Sequence, residues 1–528
     1  MNKNIGLYQK MIMVIVVFMA FSLGTYASAQ ISSMWQNIEP GQYQAGFQTV
    51  EKYDYTRVFR PKYDYFGVPL EGERARPIQI CIWYPAVAEP DESPMVYGEY
   101  CFPYPENSDL FAFVTQLQNR ERNYLFGIYN PNRGLPLDVM SVTMSAIKDA
   151  KPADGQFPLL IYNSTLQGSY CENAILCEYL ASHGYVVAAT HSVGTRVINP
   201  VTSQGDLETL LSDKEFLLAN LRDYPFVDDS KLGVIGTGFG GLESMLLAMR
   251  NPDVDAVISL RGIYIYSNNF EFVKQSPYYS IANLNVDLMQ MYPPGMDNLD
   301  LSLLESFKYS RRYSLKLKKL QDRDFFDYDM LASLVPGNEV QGLEEKMAGY
   351  EAISRHALEF FNAQLKDDHI GTEYIAKSLE ENGPGSPSLT MKLYPKQDLP
   401  PTANQFMAII QDKGVKTACE LYDKFKGDNP DHVFFLEAPF NMVGYGFLQR
   451  NQIDDAITVF RMNSEAYPQS CNVWDSYADG LTARGDTTLV KEMMRKALEV
   501  MPNDTLLNEQ TKEAIRAHAA EVLGTTEN

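Results

Sequence analysis

A glycine cluster between a strand-like segment and a helix-like segment is the part of this sequence best suited to chemistry. Residues 233–248 read GVIGTGFGGLESMLLA. Gly236, Gly238 and Gly241 spell G-x-G-x-x-G, a loop that cradles the phosphates of a dinucleotide. Gly236, Gly238 and Gly240 instead spell the G-x-S-x-G elbow that exposes a nucleophilic serine, with glycine at the serine position. The two motifs predict different chemistry, and the elements around them must decide.

The position of the cluster along the chain disfavours the dinucleotide motif. That motif belongs on the first βαβ unit of its domain, with an acid at the end of the second strand. Here several strand-like segments precede the cluster, and the next one ends in Ser259-Leu260-Arg261, which contains no acid. An arginine suits a 2′-phosphate, so dinucleotide binding stays as a remote alternative.

Strand-like and helix-like segments alternate over residues 30–375, which predicts a mostly parallel sheet flanked by helices. We predict strands at residues 77–84, 158–162, 185–189, 232–236, 254–260 and 313–320. We predict helices at residues 172–183, 207–222, 242–250 and 355–365. The aromatic-rich and proline-rich segment at about 100–153 is predicted to be an insertion near the edge of the sheet.

Two segments of this region resemble the α/β-hydrolase family. They are FPLLIYNSTLQGSYCENAILCEYLASHGYVVAATHS, residues 157–192, and ICIWYPA, residues 80–86. The resemblance covers about residues 40–375 and points in particular to the platelet-activating-factor acetylhydrolase and dienelactone hydrolase groups. It implies an α/β-hydrolase-type sheet and a serine–acid–histidine triad. It also implies an oxyanion-side loop, which maps to Asn163, Ser164, Thr165 and Gly168.

All three triad positions that the resemblance implies are substituted in this sequence. The nucleophile position is Gly238, which has no side chain and cannot attack a carbonyl. The acid position is Arg261, and the histidine position of an H-x-x-F-x-D motif is Asp322 in DRDFFD, residues 322–327. Arginine and aspartate at two neighbouring triad positions predict an ion pair in place of the catalytic hydrogen bond. We therefore expect that no intact catalytic triad is present.

The other residues of the elbow and its surroundings have structural interpretations. Glycine relieves the backbone strain that a serine bears at an elbow. We expect Gly236, Gly240 and Gly241 to allow close packing of strand and helix, with Thr237 beside them. The hydroxyl and thiol groups nearby have no pattern that supplies a base, and the scattered histidines give no metal-ligand spacing. We expect neither a metal nor a cofactor.

The C-terminal region has a different pattern. ENGPGSP, residues 381–387, has the composition of a linker, which we place at 376–400. Residues 401–528 are helix-like with a 34-residue period, and they resemble tetratricopeptide repeats. The signature positions are Gly444, Ala456, Phe460 and Pro468, followed by Trp474, Ala497 and Pro502. Such repeats imply a surface that binds a protein or peptide partner.

Composition and the N-terminus limit the remaining function classes. The net charge of −22 disfavours binding to nucleic acid. Residues 1–29 have the charged start, the apolar core and the A-x-A site of a signal peptide. Because no cysteine follows that site, we expect export to a periplasm or to the exterior without a lipid anchor. The apolar stretch is too short for an ordinary membrane span, so we expect none after cleavage.

These observations converge on an exported α/β-hydrolase-type domain, residues 30–375, joined to tetratricopeptide-like repeats. We expect a protein that has lost its triad and binds a ligand or a protein, with a small acyl or ester-like molecule as the candidate ligand. The alternative is an active esterase, lipase or acyl hydrolase with a relocated nucleophile. Whether it is an enzyme, and which ligand, partner, disulfides and oligomeric state it has, the sequence leaves open.

Overall fold

The computed structural model describes residues 38–103, 110–129, 135–383, 385–427 and 432–524. The chain forms two compact units, Met1–Gln397 and Asp398–Asn528. The predicted signal peptide lies outside the described residues. Over the described ranges, no helix combines the length and the apolar character that a membrane span requires.

The described residues of the first unit form one 11-stranded sheet. The strands are β1 (Gln44–Val58), β2 (Ala75–Val87), β3 (Ile147–Lys148), β4 (Lys151–Pro152), β5 (Phe157–Asn163), β6 (Val186–Thr190), β7 (Val227–Thr237), β8 (Val254–Leu260), β9 (Asp287–Tyr292), β10 (Arg312–Leu317) and β11 (Leu389–Tyr394). Their order across the sheet is β11–β10–β9–β8–β7–β5–β6–β2–β1–β3, and β4 pairs with β2.

Helices connect the strands. They are α1 (Tyr97–Cys101), α2 (Phe111–Ile128), α3 (Leu135–Met140), α4 (Ala174–Ser182), α5 (Gln204–Leu221), α6 (Phe239–Arg250), α7 (Phe270–Lys274), α8 (Ser302–Ser306), α9 (Tyr328–Ser333), α10 (Leu343–Leu365) and α11 (His369–Glu381). The core on one face of the sheet includes residues of α4 and α10, and the core on the other face includes residues of α5 and α6.

The central strands are parallel and buried on both faces. The six strands from β6 to β10 along the sheet pair in parallel, whereas β2 is antiparallel to β1 and β6. Leu160 and Tyr162 of β5 belong to one core, and Leu159 and Ile161 belong to the other. Burial on both sides explains why these strands read as continuous apolar runs.

The strand order defines the fold class. From β1 to β10 the order is β1–β2–β6–β5–β7–β8–β9–β10, with an antiparallel second strand, which is the arrangement of an α/β hydrolase. The predicted fold class is therefore confirmed: a mostly parallel sheet of α/β-hydrolase type flanked by helices, followed by an all-α unit.

Several boundaries differ from the predicted ones. The six predicted strands are present, but the sequence analysis missed β1, β9, β11 and the two short strands β3 and β4. The placement of a linker at 376–400 is wrong, because α11 extends to Glu381 and β11 pairs with β10. The unit boundary instead falls after Gln397. The segment at 100–153 contains α2, α3 and the two short strands β3 and β4, which pair with β1 and β2.

The described residues of the second unit form seven α-helices and one short 3-10 helix, Met501–Asn503. The α-helices are α12 (Ala403–Lys413), α13 (Val415–Lys426), α14 (Glu437–Gln449), α15 (Ile453–Ala466), α16 (Cys471–Arg484), α17 (Thr487–Val500) and α18 (Glu509–Leu523). Cysteine and aromatic side chains add to several small apolar cores between these helices. The unit thus has its own interior.

The repeat positions mark close contacts between these helices. A Cβ at Gly444 of α14 would overlap the ring of Phe460 on α15, so only glycine permits this approach. Ala456 and Ala497 are fully buried. Pro468 follows α15, and its carbonyl accepts a 2.9 Å hydrogen bond from the indole N–H of Trp474. Pro502 lies in the 3-10 helix that follows α17.

Candidate functional site

The candidate site lies where three neighbouring parallel strands end. β5 leads into the oxyanion-side loop at Asn163, β7 leads into Gly238, and β8 leads into Arg261. In the sheet β5 and β8 flank β7, so their carboxyl ends meet at one edge. This edge is where open α/β sheets bind ligands. The sheet order therefore brings together segments that lie about 100 residues apart in the sequence.

Gly238 keeps the backbone geometry of an elbow. It stands between β7 and α6 with φ +59° and ψ −113°, a conformation that residues with a side chain adopt only under strain. Its N–H donates to the Leu260 carbonyl at 2.8 Å, and its carbonyl accepts from the N–H groups of Gly241 and Ile263 at 3.1 Å. The turn is thus fixed by hydrogen bonds without a nucleophile.

The glycines around Gly238 are required by close packing. A Cβ at Gly236 would overlap the carbonyl of Gly240, and a Cβ at Gly240 would overlap the carbonyl of Asn163. A Cβ at Gly241 would lie 2.5 Å from the Ser259 hydroxyl oxygen. These contacts are between strand, helix and loop, so the structure accounts for these glycines without a dinucleotide.

Space is available at Gly238 itself. A Cβ there would lie 3.2 Å from the Thr165 methyl carbon, and that side chain alone comes within 4 Å. A serine would thus fit if the Thr165 methyl shifted by a few tenths of an ångström. The turn therefore has room for a small side chain at Gly238.

Thr165 is held by a buried glutamate that the sequence analysis did not select. The Thr165 hydroxyl donates to Glu172 Oε2 at 2.7 Å, and the Thr165 N–H donates to Glu172 Oε1 at 2.8 Å. The Tyr162 hydroxyl also donates to Glu172 Oε1, at 3.0 Å. Glu172 is 1% exposed, and burial raises its pKa to about 7 despite these hydrogen bonds. No spacing rule marks Glu172, because its partners come from another strand and loop.

A second set of polar groups links this glutamate to the elbow. The Tyr162 hydroxyl lies 3.1 Å from the Thr237 hydroxyl. Asn173 donates to both of these oxygens and accepts from the Tyr350 hydroxyl of α10 at 3.0 Å. Thr237 is fully buried, so its hydroxyl serves this network. This network joins the ends of β5 and β7 to Asn173 and to α10.

Arg261 and Asp322 form an ion pair, as the substitutions at the triad positions predicted. The Arg261 side chain is 13% exposed and the Asp322 side chain 44% exposed. The Arg261 guanidinium also stacks over the ring of Phe326, 5.2 Å from its centroid. Arg261 has φ +56°, which is uncommon for a residue with a side chain. A salt link thus connects the end of β8 to the segment after β10.

Hydrogen bonds join the segment after β10 to the 3-10 helix Tyr170–Asn173, which follows the oxyanion-side loop, and to the helix after it. The N–H of Asp327 donates to the Glu172 carbonyl at 3.1 Å, and the Asp327 carboxylate accepts from the N–H of Ile175 at 3.2 Å. Asp327 is fully buried, and burial raises its pKa well above the usual value. Phe325, the other matched residue of the DRDFFD segment, is also fully buried.

The remaining loop residues have packing roles. The Asn163 amide donates to the Ser244 hydroxyl at 2.8 Å, and Gly168 closes a turn through a 2.8 Å bond from its N–H to the Thr165 carbonyl. The Ser164 hydroxyl is buried and has no hydrogen-bond partner within the described part of the chain. His191 is buried, and its Nε2 atom lies 3.2 Å from Gln79 Oε1.

Comparisons with known proteins identify no family for this chain. No protein-family model matches it, and no curated protein matches it. Among solved structures, it is similar to a ferulic acid esterase from Streptomyces cinnamoneus, with 17% sequence identity and a TM-score of 0.44. The similarity covers 66% of this chain and 96% of the esterase.

The sheet order and the elbow define a protein of the α/β-hydrolase fold class. At the elbow it presents a glycine, and beside the elbow an ion pair. It has no side chain at Gly238 that could form a covalent bond to a substrate.

Proposed function

We propose that this protein is a hydrolase-fold binding protein that does not use a serine–acid–histidine triad. The single observation that carries this proposal is Gly238, which has the elbow conformation and no nucleophile. The Arg261–Asp322 ion pair supports it, because a guanidinium cannot accept a proton from a nucleophile. A small acyl or ester-like molecule is the ligand class that the retained elbow and loop favour.

The test compares hydrolysis with binding. The purified chain from residue 30 onward and its Gly238→Ser variant are assayed against a panel of short-chain aryl esters. We expect no saturable hydrolysis by either protein, since the serine would lack a histidine. Thermal unfolding with nonhydrolysable acyl ligands reports binding, which raises the melting temperature. Saturable hydrolysis by the unaltered chain would overturn the proposal.

We also propose that the C-terminal unit binds a protein or peptide partner. The pairing of α14 with α15 and of α16 with α17, with small residues at the contacts, supports a tetratricopeptide-like array. Polar contacts join α14, α16 and α18 along one surface. The Tyr445 hydroxyl donates to Asp479 Oδ2 at 2.7 Å, and His518 Nδ1 lies 2.8 Å from Asp475 Oδ1. The two carboxylates favour a partner with basic residues.

A pull-down with matched chains tests this surface. The full chain is compared with a chain that ends at residue 397, the boundary of the first unit. We expect the shorter chain to lose the partner. An Asp475→Asn/Asp479→Asn variant of the full chain should bind a basic partner more weakly. A shorter chain that keeps every partner would contradict the assignment.

A relocated nucleophile is the second candidate function, and the Thr165–Glu172 contact favours it. The Thr165 side chain is partly exposed beside the elbow, and its hydroxyl bonds a carboxylate whose pKa is about 7. Such a carboxylate suits a general base near neutral pH. If esters are hydrolysed, Thr165→Val should abolish turnover and Thr165→Ser should retain it. Equal activity in both variants would exclude Thr165.

The location of the protein remains a proposal that rests on the sequence of residues 1–29. We propose export to a periplasm or to the exterior, with cleavage after Ala29. N-terminal sequencing of the protein recovered from its natural cells should begin at Gln30. A protein that begins near residue 1 and stays with the cytoplasmic fraction would contradict this.

A further inference from the structure

Two cysteines and a glutamate meet in the interior of the first unit, outside the candidate site. Cys101 ends α1, Glu121 lies on α2, and Cys171 lies in a 3-10 helix, Tyr170–Asn173, that follows the oxyanion-side loop. One ligand atom from each side chain lies within 4.8 Å of the other two. None of the three side chains is more than 2% exposed. Three separate elements therefore direct potential metal ligands to one point.

The chemistry of these ligands selects a class of metal ion. Two thiolate sulfurs suit soft or borderline ions, whereas Mg²⁺ and Ca²⁺ require oxygen ligands throughout. Zn²⁺ accepts cysteine sulfur and carboxylate oxygen together, commonly in tetrahedral geometry. Three protein ligands leave one coordination position for water or another molecule.

A bound dication would balance the charges of these three ligands. A buried carboxylate needs a compensating charge, and two thiolates beside it need more. Arg120, next to Glu121, is half-buried and donates to the carbonyls of Ile198 at 2.9 Å and Gly168 at 3.3 Å. One dication and this guanidinium together would neutralise the two thiolates and the carboxylate. Without the dication, Cys101 and Cys171 carry thiols instead of thiolates.

We propose that Cys101, Glu121 and Cys171 bind one zinc ion. On binding, the two thiols release their protons to water, and each sulfur forms a bond to the metal. The ion would join α1 and α2 to the 3-10 helix that carries Glu172. Because Glu172 holds Thr165, the ion would act as a positioning element for the loop beside the elbow. The proposal is independent of the proposed function.

Metal content of the whole protein tests the proposal. The reduced, purified chain is incubated with zinc sulfate and desalted, and its zinc is measured. We expect about one zinc ion per chain in the unaltered protein. Cobalt in place of zinc should give visible absorption and a sulfur-to-metal charge-transfer band, which only thiolate ligation produces.

Matched variants locate the ion. Cys101→Ser/Cys171→Ser should lose the zinc and the charge-transfer band. Cys81→Ser/Cys177→Ser, a pair of buried thiols outside the cluster, should keep both. Glu121→Gln should bind about tenfold more weakly or worse while it keeps the cobalt–sulfur band.

Several results would overturn the proposal. They are an unaltered protein that retains no zinc, a control pair that loses it equally, and a Cys101–Cys171 disulfide found by mass spectrometry in place of metal. If the cysteine variants fail to fold, the zinc content and the cobalt spectrum of the unaltered protein still decide the outcome.

Discussion

At Gly238 the backbone conformation, and not a lack of space, favours glycine. A Cβ at this position would contact Thr165 alone, whereas a Cβ at Gly236 or Gly240 would overlap a carbonyl. An active hydrolase accepts the strain at this position because the serine is needed there. Glycine adopts this conformation without that strain.

Gly238→Ala should destabilise the first unit by about 1–3 kcal/mol, the usual cost of a side chain in such a conformation. Chemical unfolding followed by tryptophan fluorescence measures the change. Gly205→Ala is the matched control, because Gly205 lies in α5 with no atom near its added Cβ. The control should stay within about 1 kcal/mol of the unaltered chain. Equal effects of the two substitutions would show that the elbow is unstrained.

Burial of Glu172 should make the stability of the first unit depend on pH. Its pKa rises from 4.5 to about 7 on folding, so between these values the folded state holds a proton that the unfolded state has lost. Stability should therefore fall as pH rises from about 5 to 8. At about 1.4 kcal/mol for each pH unit between the two pKa values, the contribution of this group is about 3 kcal/mol at most.

Glu172→Gln resembles the protonated form and should flatten this dependence. Unfolding free energies of the variant and of the unaltered chain are measured from pH 5 to pH 8. Glu344→Gln, at an exposed carboxylate of α10, should leave the slope unchanged. A slope that is the same in all three proteins would show that Glu172 titrates normally.

Between elements, the Arg261–Asp322 pair connects the end of β8 to the 3-10 helix Asp322–Phe325 after β10. In a triad the same two positions are joined by a hydrogen bond that orients the histidine. Here the two side chains form an ion pair instead. The pair therefore ties the end of β8 to the segment after β10.

A double-mutant cycle should find a favourable coupling between Arg261 and Asp322. With Arg261→Gln and Asp322→Asn, we expect about 1 kcal/mol, because the arginine is mostly buried and the aspartate is partly screened by water. The exposed pair Arg222–Asp253, 3.4 Å apart, is the control and should give about 0.3 kcal/mol or less. A coupling near zero for both pairs would show that the contact contributes nothing to stability.

For the whole molecule, β11 decides where the first unit ends. Residues 389–394 pair with β10 in an antiparallel register, so the sheet takes its last strand from beyond the predicted domain end at 375. The second unit has separate apolar cores between its own helices. The two units are therefore expected to fold independently when cut after Gln397.

Truncation tests this boundary. A chain of residues 30–397 should unfold in one cooperative transition, and a chain of residues 30–375 should be unstable or aggregate. The shorter chain loses β11 and part of α11, which exposes the edge of β10. A chain of residues 398–528 should fold alone, as circular dichroism would show. Equal stability of the first two chains would contradict the assigned boundary.

Much of the fold was predictable because its signals are local. The strands of residues 158–162, 185–189 and 254–260 are short apolar runs between turns, and the structure places strands within a residue of each. β1 was missed because its second half carries charged residues among its apolar ones, and β11 was missed because it is short and mostly half-buried or exposed. A half-exposed edge strand resembles a loop in its composition.

The sequence by itself determined the fold class, the helical character of the C-terminal unit and the opposite charges of Arg261 and Asp322. These depend on residue types at spacings that local hydrogen bonding and periodic burial impose. Only the tertiary structure decided that Glu172 holds Thr165 and that Cys101, Glu121 and Cys171 meet. The physical reason is that a sheet and its crossovers bring distant residues within contact, and no spacing along the chain records which side chains then share a buried volume.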